Sequence, residues 1–185
     1  MADTVIREVA RNVWTFSRPF MLGIVFMGGR STAIKLDFGG VWILASTELN
    51  NETKQKLDEL GDVKYIVAGN NAHTMFIKQY KTAYPAAKVI GPEDIQTKPE
   101  LKGIKLDIVF GTADPNPMCG FEGEVSTGSS TVSGGKLQSA SSSAMRRDAA
   151  KVLAWDFDRF IPCHGDVIET GAKAAWRSAF TNYLS

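Results

Sequence analysis

Strand and helix patterns alternate between residues 41 and 90, and this alternation constrains the fold more than any other feature. The apolar run from Val41 to Ala45 is continuous, which is typical of a strand covered on both faces. Asn50 offers a helix N-cap and Gly61 a helix end, and Val63 to Ala68 and Lys88 to Ile90 form two further short strand patterns. A second helix separates those two strands, with one predicted apolar side: Met75, Phe76 and Tyr80. This order, with its short connections, predicts a βαβ arrangement and therefore an α/β fold.

The first 40 residues have the pattern of strands joined by tight turns. Val5 to Val9 and Val13 to Phe16 are rich in β-branched and aromatic residues. Arg30 to Leu36 alternates in polarity, and the turn Asp37 to Gly40 then predicts a hairpin with the following strand. Gly28 to Ser31 lacks the spacing of a phosphate-binding loop and leads into a strand, so we interpret it as a turn.

The second half contains a segment of linker composition. Ser126 to Ser143 holds eight Ser, three Gly and two Thr in eighteen residues, too few apolar groups to order itself. Beyond it we predict a helix over Met145 to Phe157, a short strand over Arg159 to Pro162, and a last helix whose aromatic side packs on the sheet. We therefore predict a single domain built from residues 1–124 and 145–185, joined by a flexible linker at residues 125–144.

Charge and cysteine content exclude several classes of protein. The 185 residues include 21 Lys and Arg against 20 Asp and Glu, without a basic half that would favour nucleic acid or a membrane surface. The longest apolar stretch, Phe20 to Met27, is too short to span a bilayer. The N-terminus carries charged residues where a signal peptide needs an apolar run, so we expect a cytoplasmic protein. Two cysteines cannot form a disulfide framework.

The two histidines of the chain are the main candidates for chemistry. His73 and His164 each follow a predicted strand, at the strand-to-helix junctions where sites collect in layered α/β folds. The alternatives are structural: His164 would fix its own turn by a backbone hydrogen bond, and His73 would cap a helix or lie on the surface. Asp166 is the plausible third metal ligand beside them, although we favour its competing role as N-cap of the last helix.

The cysteines offer a weaker hypothesis. Cys163 and His164 are neighbours in an extended segment, so their side chains point to opposite faces and do not form a nucleophilic pair. Cys163 is most simply a small buried residue. Cys119 lies in a predicted loop. A cysteine enzyme would use it together with a spatially close histidine, but nothing near it in the sequence marks its thiol as activated.

Several of these segments together resemble the metallo-β-lactamase fold, and in particular its uncharacterised, divergent fungal-type members. The resemblance covers most of residues 5–124 and 145–180 and rests on motifs from strands, turns and the last histidine element: Val13-Trp14-Thr15-Phe16, Gly29 to Leu36, Gly40 to Leu44, Leu60 to Val67, Ala83 to Pro92 and Phe160 to Asp166. It implies an αββα sandwich with a metal site at one edge, usually binuclear and hydrolytic.

The sequence departs from that family's pattern in two places. The His-x-His-x-Asp-His motif should follow the strand ending at Ala68, but this stretch has Asn70, Asn71 and a single histidine, and asparagine is a poor zinc ligand. The Ser/Gly stretch occupies the position of further ligands and strands, so we expect an incomplete second sheet. An unpaired sheet edge invites self-association, and we therefore expect a homodimer through that edge.

Two functions follow from the resemblance and its departures. One is a weak or mononuclear metal-dependent hydrolase acting on an unidentified small molecule, with one zinc or other divalent ion held by His73, His164 and Asp166. The other is a non-enzymatic binding or interaction protein that keeps the scaffold and binds no metal. The number of ligands distinguishes them, because catalytic zinc sites use three protein ligands.

Overall fold

The computed structural model describes residues 4–22, 24–26, 28–110 and 142–184. Nine strands occur in this part of the chain: β1 Val5–Ala10, β2 Val13–Arg18, β3 Met21–Leu22, β4 Val25–Phe26, β5 Gly29–Lys35, β6 Gly40–Leu44, β7 Asp62–Val67, β8 Lys88–Pro92 and β9 Ile108–Phe110. Five α-helices accompany them: α1 Asn51–Leu60, α2 Ile77–Ala83, α3 Ser142–Ala154, α4 Ala172–Ala179 and α5 Thr181–Leu184. Two short 3₁₀ helices, Glu93–Ile95 and Pro99–Leu101, connect β8 to β9.

Seven of the strands form one mixed sheet in the order β1-β2-β5-β6-β7-β8-β9. The pairs from β1 to β6 are antiparallel, whereas β6, β7, β8 and β9 pair in parallel. β3 and β4 form a separate antiparallel hairpin. The predicted βαβ arrangement and the predicted hairpin into β6 are confirmed. Because the carboxyl ends of parallel strands meet at one edge, the loops after β6, β7 and β8 lie side by side there.

Apolar side chains cover both faces of this sheet. One cluster joins the sheet to α1 and α2 through Ile43, Ile66, Leu57 and Ile77, each fully buried. Trp42 and its neighbours occupy the opposite face with a second cluster, against which Ile161 from the C-terminal segment packs. Adjacent residues such as Trp42 and Ile43 therefore serve different clusters, as the alternation of side chains along a strand requires.

The predicted ends of α1 are confirmed, and those of α2 are shifted. The Asn50 side chain accepts a hydrogen bond from the Thr53 amide at 2.9 Å, and α1 ends at Leu60 with Gly61, at φ +136°, as its C-cap. α2 begins only at Ile77, so Met75 precedes it and is 54% exposed rather than lying on a buried helix side.

The C-terminal segment differs from its predicted form in three respects. α3 begins at Ser142 and ends at Ala154, three residues earlier at each end than predicted. The predicted strand at residues 159–162 is reduced to an isolated bridge between Phe160 and Ile168. The last helix breaks at Phe180 into α4 and α5.

The aromatic side of the last helix packs on α3 rather than on the sheet. The Trp176 indole donates a hydrogen bond to the Ala149 carbonyl at 3.1 Å and stacks on Phe180, with ring centroids 4.2 Å apart. A buried indole N–H needs an acceptor, and the carbonyl of α3 supplies it.

Residues 111–141 lie outside the described part of the chain. The prediction of a linker at residues 125–144 falls on them, except that its last three residues are the first of α3. The loop position predicted for Cys119 also lies outside the described residues. Among the helices described, none combines the length and apolar character that crossing a membrane requires.

Candidate functional site

His73 is held by its own loop after β7. The Asn70 side-chain oxygen accepts hydrogen bonds from the backbone amides of Ala72 at 2.8 Å and His73 at 3.1 Å, and lies 2.8 Å from the His73 ring Nδ1. This turn, in which a side chain bonds the backbone two and three residues on, is typical of asparagine. His73 is half-buried and precedes the first residue of α2 by four positions, so it does not cap that helix.

His164 is held by a distant strand. It lies in the loop between Phe160 and Ile168, and its Nδ1 is 2.7 Å from the Gly28 carbonyl oxygen just before β5. The expected backbone hydrogen bond therefore exists, but it joins the loop to the sheet rather than fixing the turn of His164 itself. Gly28 has φ +65°, a conformation that glycine adopts without strain.

The fold brings the two histidine rings together across 91 residues of sequence. Their Nε2 atoms are 3.1 Å apart, and the ring centroids are 5.2 Å apart. Each Nδ1 faces an oxygen that only accepts hydrogen bonds: the Gly28 carbonyl, and the Asn70 oxygen already identified by its two amide donors. These acceptors favour the tautomer of each ring that carries its proton on Nδ1, and in that form, when both rings are neutral, the two Nε2 atoms present lone pairs to each other. A cation between the two Nε2 atoms relieves this repulsion.

Burial favours the neutral form of His73. Burial is the larger cause that lowers the pKa of His73, and the nearby His164 lowers it further. A neutral imidazole is the form that binds a metal ion, so His73 is available as a ligand near neutral pH.

Asp166 lies on the exposed side of the same loop. Its charge acts on the guanidinium of Arg30, where it opposes the larger effect of burial, which lowers the pKa of Arg30. The favoured prediction that Asp166 caps the last helix is wrong: the N-cap of α4 is Gly171, whose amide donates to the Asp158 carboxylate at 2.6 Å. Asp166 is nearer in sequence to the start of α4, but Asp158 is the residue that reaches it, because its backbone carbonyl also accepts a hydrogen bond from the Ala172 amide at 3.0 Å. The role of Asp166 as a third ligand stays a prediction.

The ligand set of a binuclear centre does not fit this chain. The whole sequence has two histidines. In residues 4–110 and 142–184, apart from the two undescribed positions 23 and 27, no group of three or more His, Cys, Asp or Glu is arranged to hold a metal ion. The two Nε2 atoms alone suit a single ion, because tetrahedral zinc with Zn–N bonds of about 2.0–2.1 Å places two ligand nitrogens about 3.3 Å apart.

Cys163 lies beside the site but faces another group. Its Sγ is 3.7 Å from the Ser46 hydroxyl, and burial raises the pKa of the Cys163 thiol. A thiol with a raised pKa is a poor nucleophile, in keeping with the prediction that Cys163 does not pair with His164 for catalysis.

Three groups that shape the site were missed in the sequence. Asn70 was considered only as a substitute metal ligand. The Asn-x-x-His spacing, which is typical of an asparagine turn, could have indicated that its side chain orients the His73 ring. Arg30 and the Gly28 carbonyl carry no local signal, because their partners Pro162 and His164 are more than 130 residues away.

Comparison with solved structures identifies the fold, whereas no family model and no curated protein matches the sequence. A metallo-beta-lactamase from Pontibacter korlensis superposes with a TM-score of 0.62 at 10% identity, covering 97% of this chain and 99% of that one. The metallo-beta-lactamase FIM-1 from Pseudomonas aeruginosa, in its mono-zinc form, gives 0.61 at 12% identity, with 98% and 97% covered. A fragment of a putative diflavin flavoprotein from Nostoc sp. PCC 7120 gives 0.63 at 8% identity, with 99% and 96% covered.

These likenesses extend over nearly the whole chain at low sequence identity, so they bear on the fold alone. Membership of the fungal-type subgroup stays a prediction. The mixed α/β architecture with its seven-stranded sheet agrees with the fold class predicted from the sequence. The chain therefore has a metallo-β-lactamase-like fold.

Proposed function

We propose that this chain is a weak, mononuclear metal-dependent hydrolase, in which His73 and His164 hold one divalent ion. The observation that carries the proposal is the convergence of the two Nε2 atoms at 3.1 Å, with each Nδ1 beside an oxygen acceptor that orients its ring. Imidazole nitrogen suits zinc and the neighbouring transition metals. Asp166 is the proposed third ligand. Two or three ligands bind an ion less tightly than a complete set, which is why we propose low activity.

The residues of the chain contribute orientation and protonation state. Asn70 and the Gly28 carbonyl fix the two rings by accepting from Nδ1, which is how proteins set the tautomer of metal-binding histidines. The lowered pKa of His73 keeps its Nε2 free of a proton. The chemistry that a bound divalent ion supplies is activation of water, through a lowered water pKa, for attack on a substrate bond. The substrate is an unidentified small molecule.

The test is metal analysis of protein purified without chelators, alongside His73→Ala and His164→Ala. We expect up to one equivalent of zinc in the wild type and none in either variant, because each supplies one of the two converging nitrogens. Asp166→Ala should reduce the metal content without abolishing it. Cys163→Ser is the matched control. Cys163 is the neighbour of His164, but its thiol faces Ser46, so this variant should retain the metal.

The second candidate is a non-enzymatic binding or interaction protein on the same scaffold. It is favoured by the absence, within the described ranges, of a third grouped ligand. A wild-type protein that takes up no metal after incubation with zinc would replace the first proposal with this one.

A further inference from the structure

The loop that carries His164 has little backbone support of its own. Within the described residues, its backbone hydrogen bonds are the reciprocal pair between Phe160 and Ile168, both at 3.0 Å. The apex that carries His164 therefore depends on side-chain contacts for its position.

Arg30 donates a hydrogen bond from the sheet to the backbone of this loop. It lies on β5, opposite Ser17 of β2, and its Nε donates to the Ser17 hydroxyl at 3.0 Å. Its Nη1 donates to the Pro162 carbonyl at 2.8 Å. The planar guanidinium thus holds one hydrogen bond within the sheet and one to the loop in a single rigid geometry.

The two segments bond each other in both directions. Arg30 of the sheet donates to Pro162, two residues before His164, while His164 of the loop donates to Gly28, two residues before Arg30. Because the two bonds lie so close together along both segments, forming either one brings the donor and the acceptor of the other into place. Two other polar contacts in this region are weaker: the Cys163 to Ser46 contact is 3.7 Å, and the Arg7 to Glu169 ion pair just beyond the loop lies on the surface, where such pairs contribute little.

We propose that Arg30 is a positioning residue for His164. The two guanidinium donors of Arg30 hold the loop in the place where the His164 Nδ1 meets the Gly28 carbonyl and its Nε2 turns toward His73. The inference deepens the proposed function, since the metal site needs His164 in this orientation, but it concerns residues of the chain that can be tested without metal.

The experiment is two-bond proton–nitrogen NMR of the ¹⁵N-labelled, metal-free protein at mildly alkaline pH, which reports the tautomer of each histidine. In the wild type we expect His164 to carry its proton on Nδ1. In Arg30→Met, which keeps the length of the side chain and removes its donors, we expect His164 to shift toward the Nε2–H form that neutral imidazole prefers in water. His73 is the internal control, because Asn70 holds it within its own loop, and it should keep its wild-type tautomer.

Arg30→Lys separates charge from geometry. Lysine keeps the charge but cannot donate to Ser17 and Pro162 in one fixed fork, so His164 should behave as in Arg30→Met. Ser17→Ala, which removes the partner of Nε and leaves Arg30, should give a smaller shift in the same direction and serves if Arg30→Met does not fold. An unchanged His164 tautomer in these variants, an equal shift of both histidines, or full recovery with lysine would overturn the proposal.

Zinc titration of the same variants distinguishes this inference from the proposed function. If the wild type binds zinc, Arg30→Met should weaken binding about tenfold, as expected for loss of a group behind a ligand. A wild type that binds no zinc while Arg30→Met still alters the His164 tautomer would refute the proposed function and leave the positioning role of Arg30 supported.

Discussion

Replacing Asn70 with alanine removes the acceptor that organises the His73 loop. Its side-chain oxygen accepts two backbone amides and the His73 ring, at 2.8 to 3.1 Å. A hydrogen bond contributes about 0.5–1.5 kcal/mol net, and water can replace the bond to the exposed Ala72 amide, so we expect the unfolding free energy to fall by about 2 kcal/mol. Because the His73 ring loses its partner, zinc affinity should fall about 10–100-fold.

The neighbouring Asn71 offers a matched control. Its amide donates to the Asp94 carboxylate at 3.2 Å, whereas the His73 ring bonds Asn70 and His164. Asn71→Ala should therefore leave zinc affinity near the wild-type value. Asn70→Asp keeps an acceptor in place and should recover most of the orientation of His73.

Urea unfolding measures the stability of these variants, and competition with a chromophoric chelator measures their zinc affinity. The reasoning would be refuted if Asn70→Ala and Asn71→Ala lost equal stability, or if Asn70→Ala bound zinc as tightly as the wild type.

Three further predictions concern the core, the turns and the sheet edge. Burial raises the pKa of Tyr80 to about 12, so its stabilisation is present below about pH 10 and is lost as the pH rises through 12. Tyr80→Phe should flatten that alkaline fall in unfolding free energy. It should change neutral stability by no more than about 1 kcal/mol, since the Tyr80 hydroxyl lies near the Ser31 and Thr47 hydroxyls but, among the described residues, makes no well-formed hydrogen bond. Gly61→Ala should cost more stability in thermal unfolding than Gly103→Ala. Both glycines have positive φ, but a Cβ at Gly61 would lie 2.9 Å from the Gly39 carbonyl oxygen, whereas a Cβ at Gly103 would meet no described atom within 4 Å. Equal losses of stability would contradict this prediction. We expect a homodimer through the sheet edge that the Ser/Gly stretch leaves unpaired, and a monomer by light scattering across a concentration series would exclude it.

The sequence was a good guide to the sheet because its signals there are local. Continuous apolar residues from Val41 to Ala45, the cap at Asn50 and the stop at Gly61 each act within a few residues, and the structure reproduces them. Met75 illustrates the limit: it was assigned to the apolar side of the second helix, but α2 begins two residues after it, beyond the loop that Asn70 organises.

The site was predicted only in part because its geometry arises from contacts distant in sequence. The position of His73 after a strand was visible, and His164 follows an isolated bridge where a strand was predicted, whereas the distance between their rings depends on Arg30, Pro162 and the Gly28 carbonyl. Asp166 was assigned to the helix cap from proximity alone. Asp158 occupies that role because its backbone carbonyl and its carboxylate both reach the first amides of α4.

The separation of the two histidines by 91 residues couples ligand binding to folding. A ligand that binds both rings closes a loop of nearly half the chain, and the unfolded chain, in which the rings rarely meet, cannot bind it in the same way. Stability would then rise with the logarithm of free ligand concentration above the dissociation constant. In a chain of this kind, the midpoint of thermal unfolding itself becomes a measure of how tightly the two histidines hold a shared ligand.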